Sequence, residues 1–322
     1  MKAAVIYQPG PPGNFVIEER PIPKPGANQV LVAVKAFGLN RSELMTRKGL
    51  SPSVRFPRVL GIECVGEVVE DPSGEYSKGQ QVAACMGEMG RAFDGSYAEY
   101  AVLPKSNLFS FSSTLSWEQL GAIPEMFHTV HGSLHSALQI KKGEIFLIRG
   151  GTSSVGLLAA QLAHNQGLTV VATTRNPKKE QLLLANGATH VVIDGGSIKV
   201  GVKNFFPDGV HKALELVGTT TLKDTLACVR PGGIACMTGM LSEQWSIKEF
   251  APMDYIPATV CLTTFDSGQL LSSKETFQAF IKDVETGAVR LPVGKVFRLD
   301  QIVEAHQLME SNGAGGKIVV LV

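Results

Sequence analysis

The sequence predicts an α/β protein that combines a doubly wound parallel sheet with a β-rich, barrel-like domain. The first third contains short, alternating or β-branched segments separated by Gly and Pro, which is typical of an all-β unit. From Ile145 onward the pattern changes to strand, Gly-rich turn, helix, strand, as in the βαβ units of a parallel sheet. A chain of 322 residues with 44% hydrophobic residues can bury two such cores.

The β-rich domain is predicted from strands in the first third, at 29–37, 64–70, 81–85 and 96–102. The last part of the chain, with a helix at 299–310 and a strand at 317–322, resembles the first third in its sequence pattern. It is expected to fold back onto the β-rich domain. We therefore predict one domain from 1–121 and 266–322, and a second from 122–265.

The parallel sheet is predicted from strands at 144–149, 168–173, 191–193, 212–217, 234–237 and 257–264, with helices at 155–165 and 176–186. The second helix has clear end signals. Asn176 can cap its N-terminus, Pro177 suits its first position, and Gly187 suits a left-handed residue at its C-terminus.

The charge balance indicates a small-molecule partner. The 30 Lys and Arg residues nearly balance the 29 Asp and Glu residues, so the chain lacks the positive electrostatic field that attracts nucleic acid or an anionic membrane. The five cysteines form no Cys-x-x-Cys pair, which fits a reducing compartment better than a disulfide framework. Neither a signal peptide nor a membrane-length apolar stretch is apparent, so a cytoplasmic location is expected.

A glycine-rich segment directly follows the 144–149 strand and directly precedes an apolar helix. In that position a tight turn lets the backbone approach a pyrophosphate, and the helix dipole stabilises its charge. The motif is weak by itself because a serine occupies the place of the usual middle glycine. The alternative is an unliganded structural turn. The predicted cofactor contacts here are Gly150, Thr152, Ser153, Ser154, Val155 and Gly156.

The next strand ends where an NAD-selective fold would place an acid that binds the ribose 2′-hydroxyl. This chain has Thr174 and Arg175 there instead, with Lys179 close behind. A hydroxyl and cations suit a 2′-phosphate, so we predict NADPH. A solvated basic helix start is the alternative, although cations at a helix N-terminus oppose the dipole.

The whole chain resembles a medium-chain dehydrogenase/reductase of the zinc-independent quinone oxidoreductase (zeta-crystallin-like) branch. That resemblance implies a Rossmann domain and a GroES-like domain. The motifs that carry it, in chain order, are Gly38-Leu39-Asn40-Arg41-Ser42-Glu43, Gly61-Ile62-Glu63-Cys64-Val65-Gly66, Gly95-Ser96-Tyr97-Ala98-Glu99-Tyr100, the turn from Gly150 to Gly156, Arg230-Pro231-Gly232-Gly233 and Gly316-Lys317-Ile318-Val319.

The resemblance implies further cofactor contacts on matching residues. Thr129 matches the family threonine near the nicotinamide amide. Lys317 matches a contact near the adenosine phosphate, and a plain surface lysine is the alternative reading. Residues at the carboxyl ends of later strands complete the set, namely Val217, Gly218, Thr238, Gly239, Met240 and Phe265.

The resemblance also implies that no zinc is bound. Zinc-dependent relatives have a cysteine at the position of Asn40 and a histidine at that of Ile62, and their structural zinc lobe needs four cysteines where this chain has Cys85 alone. Three histidines at helical spacing, His128, His131 and His135, could suit a metal. We prefer a packed helix, because no acidic or thiol ligand accompanies them.

Catalysis is expected to consist mainly of positioning, because the cofactor carries the hydride chemistry. Asn40 is the first candidate to donate a hydrogen bond to the substrate oxygen, and Ser42 is the second. Capping of a short helix is the structural alternative for both. Met45 replaces a common family tyrosine and predicts an apolar pocket, which leaves water as the expected source of the proton. Arg41 faces either solvent or an anionic substrate.

The sequence thus predicts NADPH-dependent reduction of a quinone or enone. The alternatives are an enoyl-thioester reductase and a nucleotide-binding protein with little catalysis, such as a crystallin or RNA-binding relative, although the near-neutral charge argues against RNA. The resemblance implies a homodimer, which is expected to form through the exposed, apolar edge strand at 257–264.

Overall fold

The computed structural model describes residues 1–51, 53–268 and 272–322. The chain forms two compact units. Unit 1 comprises Met1–Met126 and Ser272–Val322, and unit 2 comprises Phe127–Leu271. None of the helices in the described ranges is long and apolar enough to cross a membrane.

The strands of the described residues follow in chain order. They are β1 (Lys2–Ile6), β2 (Phe15–Glu19), β3 (Gln29–Gly38), β4 (Arg58–Val59), β5 (Glu63–Glu70), β6 (Gln81–Cys85), β7 (Tyr100–Pro104), β8 (Leu108–Ser110), β9 (Ile145–Arg149), β10 (Thr169–Thr174), β11 (His190–Ile193), β12 (Val210–Glu215), β13 (Val229–Met237), β14 (Cys261–Thr264), β15 (Val293–Arg298) and β16 (Lys317–Leu321).

The α-helices are α1 (Arg41–Arg47), α2 (Trp117–Leu120), α3 (Pro124–His131), α4 (Ser154–Asn165), α5 (Glu180–Ala185), α6 (Lys199–Phe205), α7 (Thr219–Leu226), α8 (Pro252–Tyr255), α9 (Lys274–Glu285) and α10 (Ile302–Glu310). A π-helix, Gly132–Ala137, continues α3. Short 3-10 helices occupy Pro12–Asn14, Lys105–Asn107, Pro177–Lys179 and Leu299–Gln301.

Unit 1 is a β-rich domain with two sheets. One has the order β2-β1-β4, and the other has the order β15-β16-β3-β5-β6-β8, with β7 paired to β3. The long strand β3 lies antiparallel to β5, β7 and β16, so it joins the first third of the chain to its C-terminal strand. Apolar residues from both parts of the chain share one core, and the predicted fold-back of the tail is confirmed.

Unit 2 is built on a six-stranded sheet in the order β11-β10-β9-β12-β13-β14, with every pair parallel. In the order of the chain this is 3-2-1-4-5-6, the Rossmann arrangement. Strands β9 and β12 lie side by side at its centre, and Leu147 and Ala213 on them are fully buried. The predicted fold class is therefore confirmed.

Several element predictions need correction. The strand expected at 96–102 lies at Tyr100–Pro104, because residues 96–98 bond to β1 and to the Leu60–Gly61 segment in an irregular path. The final strand of the parallel sheet is only Cys261–Thr264, preceded by a turn. The helix expected at 176–186 is a 3-10 turn followed by α5, although Asn176 caps it and Gly187 has a φ of 93° as predicted.

Candidate functional site

The glycine turn between β9 and α4 is held by hydrogen bonds within unit 2. Gly151 N donates to Thr173 O (3.1 Å), and Gly150 N donates to Thr173 Oγ1 (3.2 Å). Ser153 Oγ donates to Gly150 O (2.9 Å) and accepts from Gly156 N (3.1 Å), so it caps α4. Ser153, which occupies the place of the usual middle glycine, therefore holds the turn closed through its side chain.

Close approach of α4 to this turn requires a glycine. A Cβ on Gly156 would lie 2.7 Å from both Gly150 O and Gly151 O, closer than real Cβ contacts. Gly150 has a φ of 86°, which L side chains rarely adopt. The 12-residue helix α4 thus begins against an open backbone turn, and this cradle fits the pyrophosphate of a dinucleotide.

The end of β10 lies beside β9 in the sheet, as the predicted ribose site requires. Thr174 Oγ1 accepts from Asn176 N (3.1 Å) and thereby orders the segment that follows the strand. Arg175 is exposed on this segment, and Lys179 is half-buried in the next turn. The structure thus places the predicted hydroxyl and both cations at the carboxyl edge of the sheet.

The predicted contacts at the other strand ends are ordered by a buried carboxylate. Glu215, at the end of β12, is fully buried and accepts hydrogen bonds from Val217 N (2.7 Å) and Gly218 N (3.0 Å). Its backbone oxygen accepts from Thr238 N (3.0 Å) and Gly239 N (3.1 Å) after β13. Burial raises the pKa of Glu215, and the hydrogen bonds that its carboxylate accepts, above all from Thr225, oppose that shift. The two loops therefore form one connected edge.

Helix α3 and its π-helical continuation reach the same edge of unit 2. Ser133 Oγ lies 2.9 Å from Thr238 Oγ1. A Cβ on Gly132 would overlap the ring of Phe265, so the ring lies directly against the backbone there. Thr129 is 8% exposed and lies one turn earlier on α3. Thr129, Thr238 and Phe265, predicted from separate motifs, thus lie on one connected set of elements.

Arg149 is a residue of this region that the sequence analysis missed. It is the last residue of β9, directly before the glycine turn, and its side chain is fully buried. Two of its nitrogens donate to Asp194 (2.9 and 3.0 Å), and a third donates to Asp224 (2.6 Å). The available signal was an arginine at the end of an otherwise apolar strand.

The three histidines around α3 share a helical segment, as expected. The rings of His131 and His135 are in contact, with their centroids 4.5 Å apart. Burial lowers the pKa of His128 to about 3 and that of His131 to about 4, so both are neutral at pH 7. Among the described residues, no three His, Cys, Asp or Glu side chains are placed to hold a metal ion.

In unit 1, Asn40 belongs to a buried polar cluster. Its Nδ2 donates to Glu63 Oε1 (2.8 Å), and its Oδ1 accepts from Lys317 Nζ (2.6 Å). Lys317 Nζ also lies 2.6 Å from Glu63 Oε1. Lys317 is only 3% exposed, so the plain surface lysine considered above is wrong. Its contact with a cofactor stays a prediction.

The strand register explains why these three residues meet. Strand β16 pairs with β3 through Val319 and Gly38, and continuing that antiparallel register places Lys317 opposite Asn40. Strand β5 pairs with β3 through Val65 and Ala36, which places Glu63 beside Gly38. The cluster therefore forms at the end of β3, where three strands converge.

A second buried carboxylate lies beneath Asn40. Glu43 accepts hydrogen bonds from Asn40 N (2.7 Å), Ile62 N (2.8 Å) and Tyr97 Oη (2.9 Å), and Tyr97 Oη lies 3.1 Å from His306 Nε2. Burial raises the pKa of Glu43 to about 7 and lowers that of His306 to about 3. The sequence analysis missed this Glu–Tyr–His chain.

The remaining predicted substrate residues lie on α1. Asn40 is at the N-cap position, but its side chain bonds Glu63 and Lys317, while the Glu43 carboxylate accepts from the Asn40 backbone N–H. Ser42 is half-buried on the first turn. Met45 is 3% exposed and packs in the core of unit 1, so its role in a substrate pocket stays a prediction.

Comparisons with known proteins cover both units. The alcohol dehydrogenase GroES-like domain family matches residues 26–113, and the zinc-binding dehydrogenase family matches residues 186–320. Quinone oxidoreductase of Sus scrofa is 28% identical over 339 residues, covering 100% of this chain and 98% of that protein. Acryloyl-coenzyme A reductase of Sulfurisphaera tokodaii is 24% identical over 345 residues, covering 99% of each.

A solved mycobacterial structure, complexed with NADPH, matches with a TM-score of 0.88 and 25% identity over 100% of both chains. The fold and these end-to-end matches define an oxidoreductase. The chain belongs to the medium-chain dehydrogenase/reductase superfamily, in its quinone oxidoreductase branch.

The residues of unit 1 do not fit the zinc that one family name implies. A catalytic zinc needs three His, Cys, Asp or Glu ligands around an open position. Here Asn40 offers an amide, Ile62 offers an aliphatic side chain, and the oxygen of Glu63 nearest to Asn40 is bonded to the Lys317 ammonium. A second cation at that oxygen would be repelled, so we assign no step to zinc.

Proposed function

We propose that this chain is a zinc-independent reductase that uses NADPH to reduce quinones or α,β-unsaturated carbonyl compounds. The observation that carries the proposal is the edge of unit 2, where the Ser153-capped glycine turn lies beside the exposed Arg175. The NADPH-bound mycobacterial relative and the quinone oxidoreductases support it.

Recognition of the cofactor follows from the chemistry of this edge. Backbone amides at the start of α4 bind the pyrophosphate, and the helix dipole favours its charge. Arg175 and Lys179 pair with a 2′-phosphate, and the guanidinium can do so with two hydrogen bonds. No carboxylate follows β10 in the segment Thr174–Lys179 that could prefer a free 2′-hydroxyl. The edge therefore favours NADPH over NADH.

When bound, the dinucleotide supplies the hydride, and the protein positions the acceptor and stabilises its charge. Asn40 donates a hydrogen bond to the substrate oxygen, on which negative charge develops as the acceptor is reduced. Ser42 offers a hydroxyl two residues along, in the first turn of α1, and Thr129 orients the nicotinamide amide. Water delivers the final proton.

A thioester substrate is the second candidate, because the acryloyl-coenzyme A reductase relative matches end to end. Acryloyl thioesters are also α,β-unsaturated carbonyl compounds, so the same hydride acceptor geometry serves both. A panel that contains quinones, simple enones and acryloyl-coenzyme A separates the two candidates by kcat/KM.

The experiment that tests the proposal follows oxidation of NADPH and NADH at the nicotinamide absorbance, with and without a chelator. We expect a preference for NADPH and no effect of the chelator. Arg175→Gln should raise KM for NADPH by about 10- to 100-fold, since one charge-assisted contact contributes roughly 1.5–3 kcal/mol, and leave KM for NADH unchanged.

The neighbouring exposed Lys178 provides a matched control, because Lys178→Gln removes one positive charge from the same turn. It should change neither KM by more than about twofold. Loss of activity with the chelator would refute zinc independence. Equal effects of Arg175→Gln on both cofactors would refute the assigned phosphate contact.

We also infer a homodimer formed through β14. This strand ends the sheet of unit 2, and its Cys261 and Thr264 are exposed. An unpaired edge strand is a template for pairing with a second copy. Light scattering during size exclusion should give twice the chain mass, whereas a monomer at micromolar concentration would contradict the inference.

A further inference from the structure

Three side chains of unit 1 form a closed ring of hydrogen bonds. Lys317 Nζ donates to Asn40 Oδ1 and to Glu63 Oε1, both at 2.6 Å, and Asn40 Nδ2 donates to the same Glu63 oxygen at 2.8 Å. Lysine can only donate and a carboxylate only accepts. If the Asn40 amide were flipped, its NH2 group would face the Lys317 ammonium, and its oxygen would face the Glu63 carboxylate. Neither contact could form a hydrogen bond, so the amide has one orientation.

The ring is buried and leaves little space for rearrangement. The side chains of Lys317 and Glu63 are 3% and 0% exposed, and the second oxygen of Glu63 accepts from Glu125 N (2.8 Å). A Cβ on Gly38 would overlap both Lys317 and Glu63, so the pair lies directly against the backbone of β3. The ammonium therefore has a fixed position relative to Asn40.

A buried ion pair of this kind is weak evidence for a role in stability, because desolvation offsets most of the attraction. Burial lowers the pKa of Lys317, but the carboxylates of Glu63, Glu125 and Glu43 raise it by more, so the lysine stays charged. Because such a pair is weak evidence for stability, the single orientation that it gives the Asn40 amide points to a role at the site.

We propose that Lys317 is a positioning residue, whose ammonium locks the Asn40 amide so that one Nδ2–H bonds Glu63 and the other is presented to the substrate oxygen. This inference rests on the proposed function. The second Nδ2–H has a described partner only in Gly38 O, at 3.5 Å, the outer limit of a hydrogen bond. That N–H is thus available to a better acceptor.

The ammonium also strengthens the donor that it positions. A cation on Oδ1 withdraws electron density from the amide, and linked hydrogen bonds polarise one another. The presented N–H then stabilises the negative charge on the reduced substrate oxygen without reorganising during the reaction. In this role Lys317 contributes to turnover through Asn40, without contacting the substrate itself.

The test is a mutant cycle that removes the ion pair as a unit. Lys317→Met/Glu63→Gln avoids an unpaired buried charge, and it is compared with Asn40→Ala and with the triple variant. We expect the double variant and Asn40→Ala each to lower kcat at least tenfold, and the triple variant to lose no more than Asn40→Ala alone. Residues that act as one unit give such non-additive losses.

Two further readings separate positioning from a structural or cofactor role. The Kd for NADPH, from fluorescence titration, should stay within twofold in the double variant, and the primary isotope effect with 4-deuterated NADPH should rise as hydride transfer slows. Lys212→Met, at a buried lysine 3.8 Å from Glu144 in unit 2, is the control and should leave kcat unchanged.

Additive losses would overturn the positioning role, and a weaker NADPH Kd would assign Lys317 to the cofactor instead. A wild-type enzyme inactive on the whole panel would refute the proposed function. The positioning role is then decided by a crystal structure of the double variant, in which we expect the Asn40 amide to leave its present rotamer. An unchanged amide would overturn the role.

Discussion

The glycine turn of unit 2 and the Asn40 cluster of unit 1 are two kinds of polar site. The turn is made of backbone, and its principal residues, Gly150, Ser153 and Gly156, lie within seven positions of the chain. The cluster is made of side chains, and its Lys317–Asn40 bond joins residues 277 positions apart. A site made by local backbone lies within one motif, whereas the residues of the cluster fall in three separate motifs, and no one of them shows that they meet.

The largest test of this contrast is Arg149→Met, because it asks whether the local turn depends on a long-range anchor. Removal of the buried guanidinium leaves Asp194 and Asp224 without their cation. We expect the free energy of unfolding to fall by about 3–5 kcal/mol, measured by urea denaturation. In Lys282→Met, at a 68% exposed lysine paired with Glu285, the loss should stay below about 1 kcal/mol. Equal losses would contradict the anchoring role.

For the Asn40 cluster, the matching test is the pH dependence of stability that the buried Glu43 produces. Its pKa is raised from 4.5 to about 7 by burial, so the folded state binds more protons than the unfolded state between these values. Its stabilising contribution is complete below about pH 4.5 and is lost as the pH rises to 7, an effect on the order of 3 kcal/mol. Glu43→Gln should remove this part of the slope in denaturation midpoints measured from pH 4.5 to 7. An identical slope in both proteins would disprove it.

Gly156→Ala tests the glycine turn of unit 2, the site that is made of local backbone. The new Cβ would meet two backbone oxygens at 2.7 Å, so α4 must move away from the turn. We expect a loss of about 1–3 kcal/mol in stability and a weaker Kd for NADPH. Gly195→Ala is the control, since its Cβ would meet nothing within 4 Å, and it should stay within about 0.5 kcal/mol. Similar results for both glycines would argue against close approach.

The smallest effect is expected for Ser153→Ala. Ser153 and Ser273 cap the 12-residue helices α4 and α9 with similar bonds of 3.1 and 3.2 Å. Either alanine variant should cost roughly 1 kcal/mol in thermal denaturation. Only Ser153→Ala should also weaken NADPH binding, because only that cap shapes the glycine turn. Unequal stability losses with equal NADPH affinity would reverse this assignment.

Much of the fold follows from local sequence signals. The Gln81–Cys85 strand, the capped segment after Asn176 and the left-handed Gly187 lie where the sequence predicts them, since each depends on alternation or on one residue's backbone preference. The strand predicted at 96–102 was displaced to Tyr100–Pro104. Its first residues bond to distant segments instead of a regular partner, and alternation cannot reveal that.

The candidate site divides in the same way. By itself, the sequence determined the β9–turn–α4 unit and the absence of an acid after β10, because these depend on neighbouring residues and on the hydrogen bonds of one short segment. Only the tertiary structure decided that Lys317, which sequence analysis left between a cofactor contact and a surface lysine, is a buried partner of Asn40 and Glu63. The physical reason is that the registers of β16 and β5 on β3 set this meeting, and register is a property of paired strands that no single segment encodes.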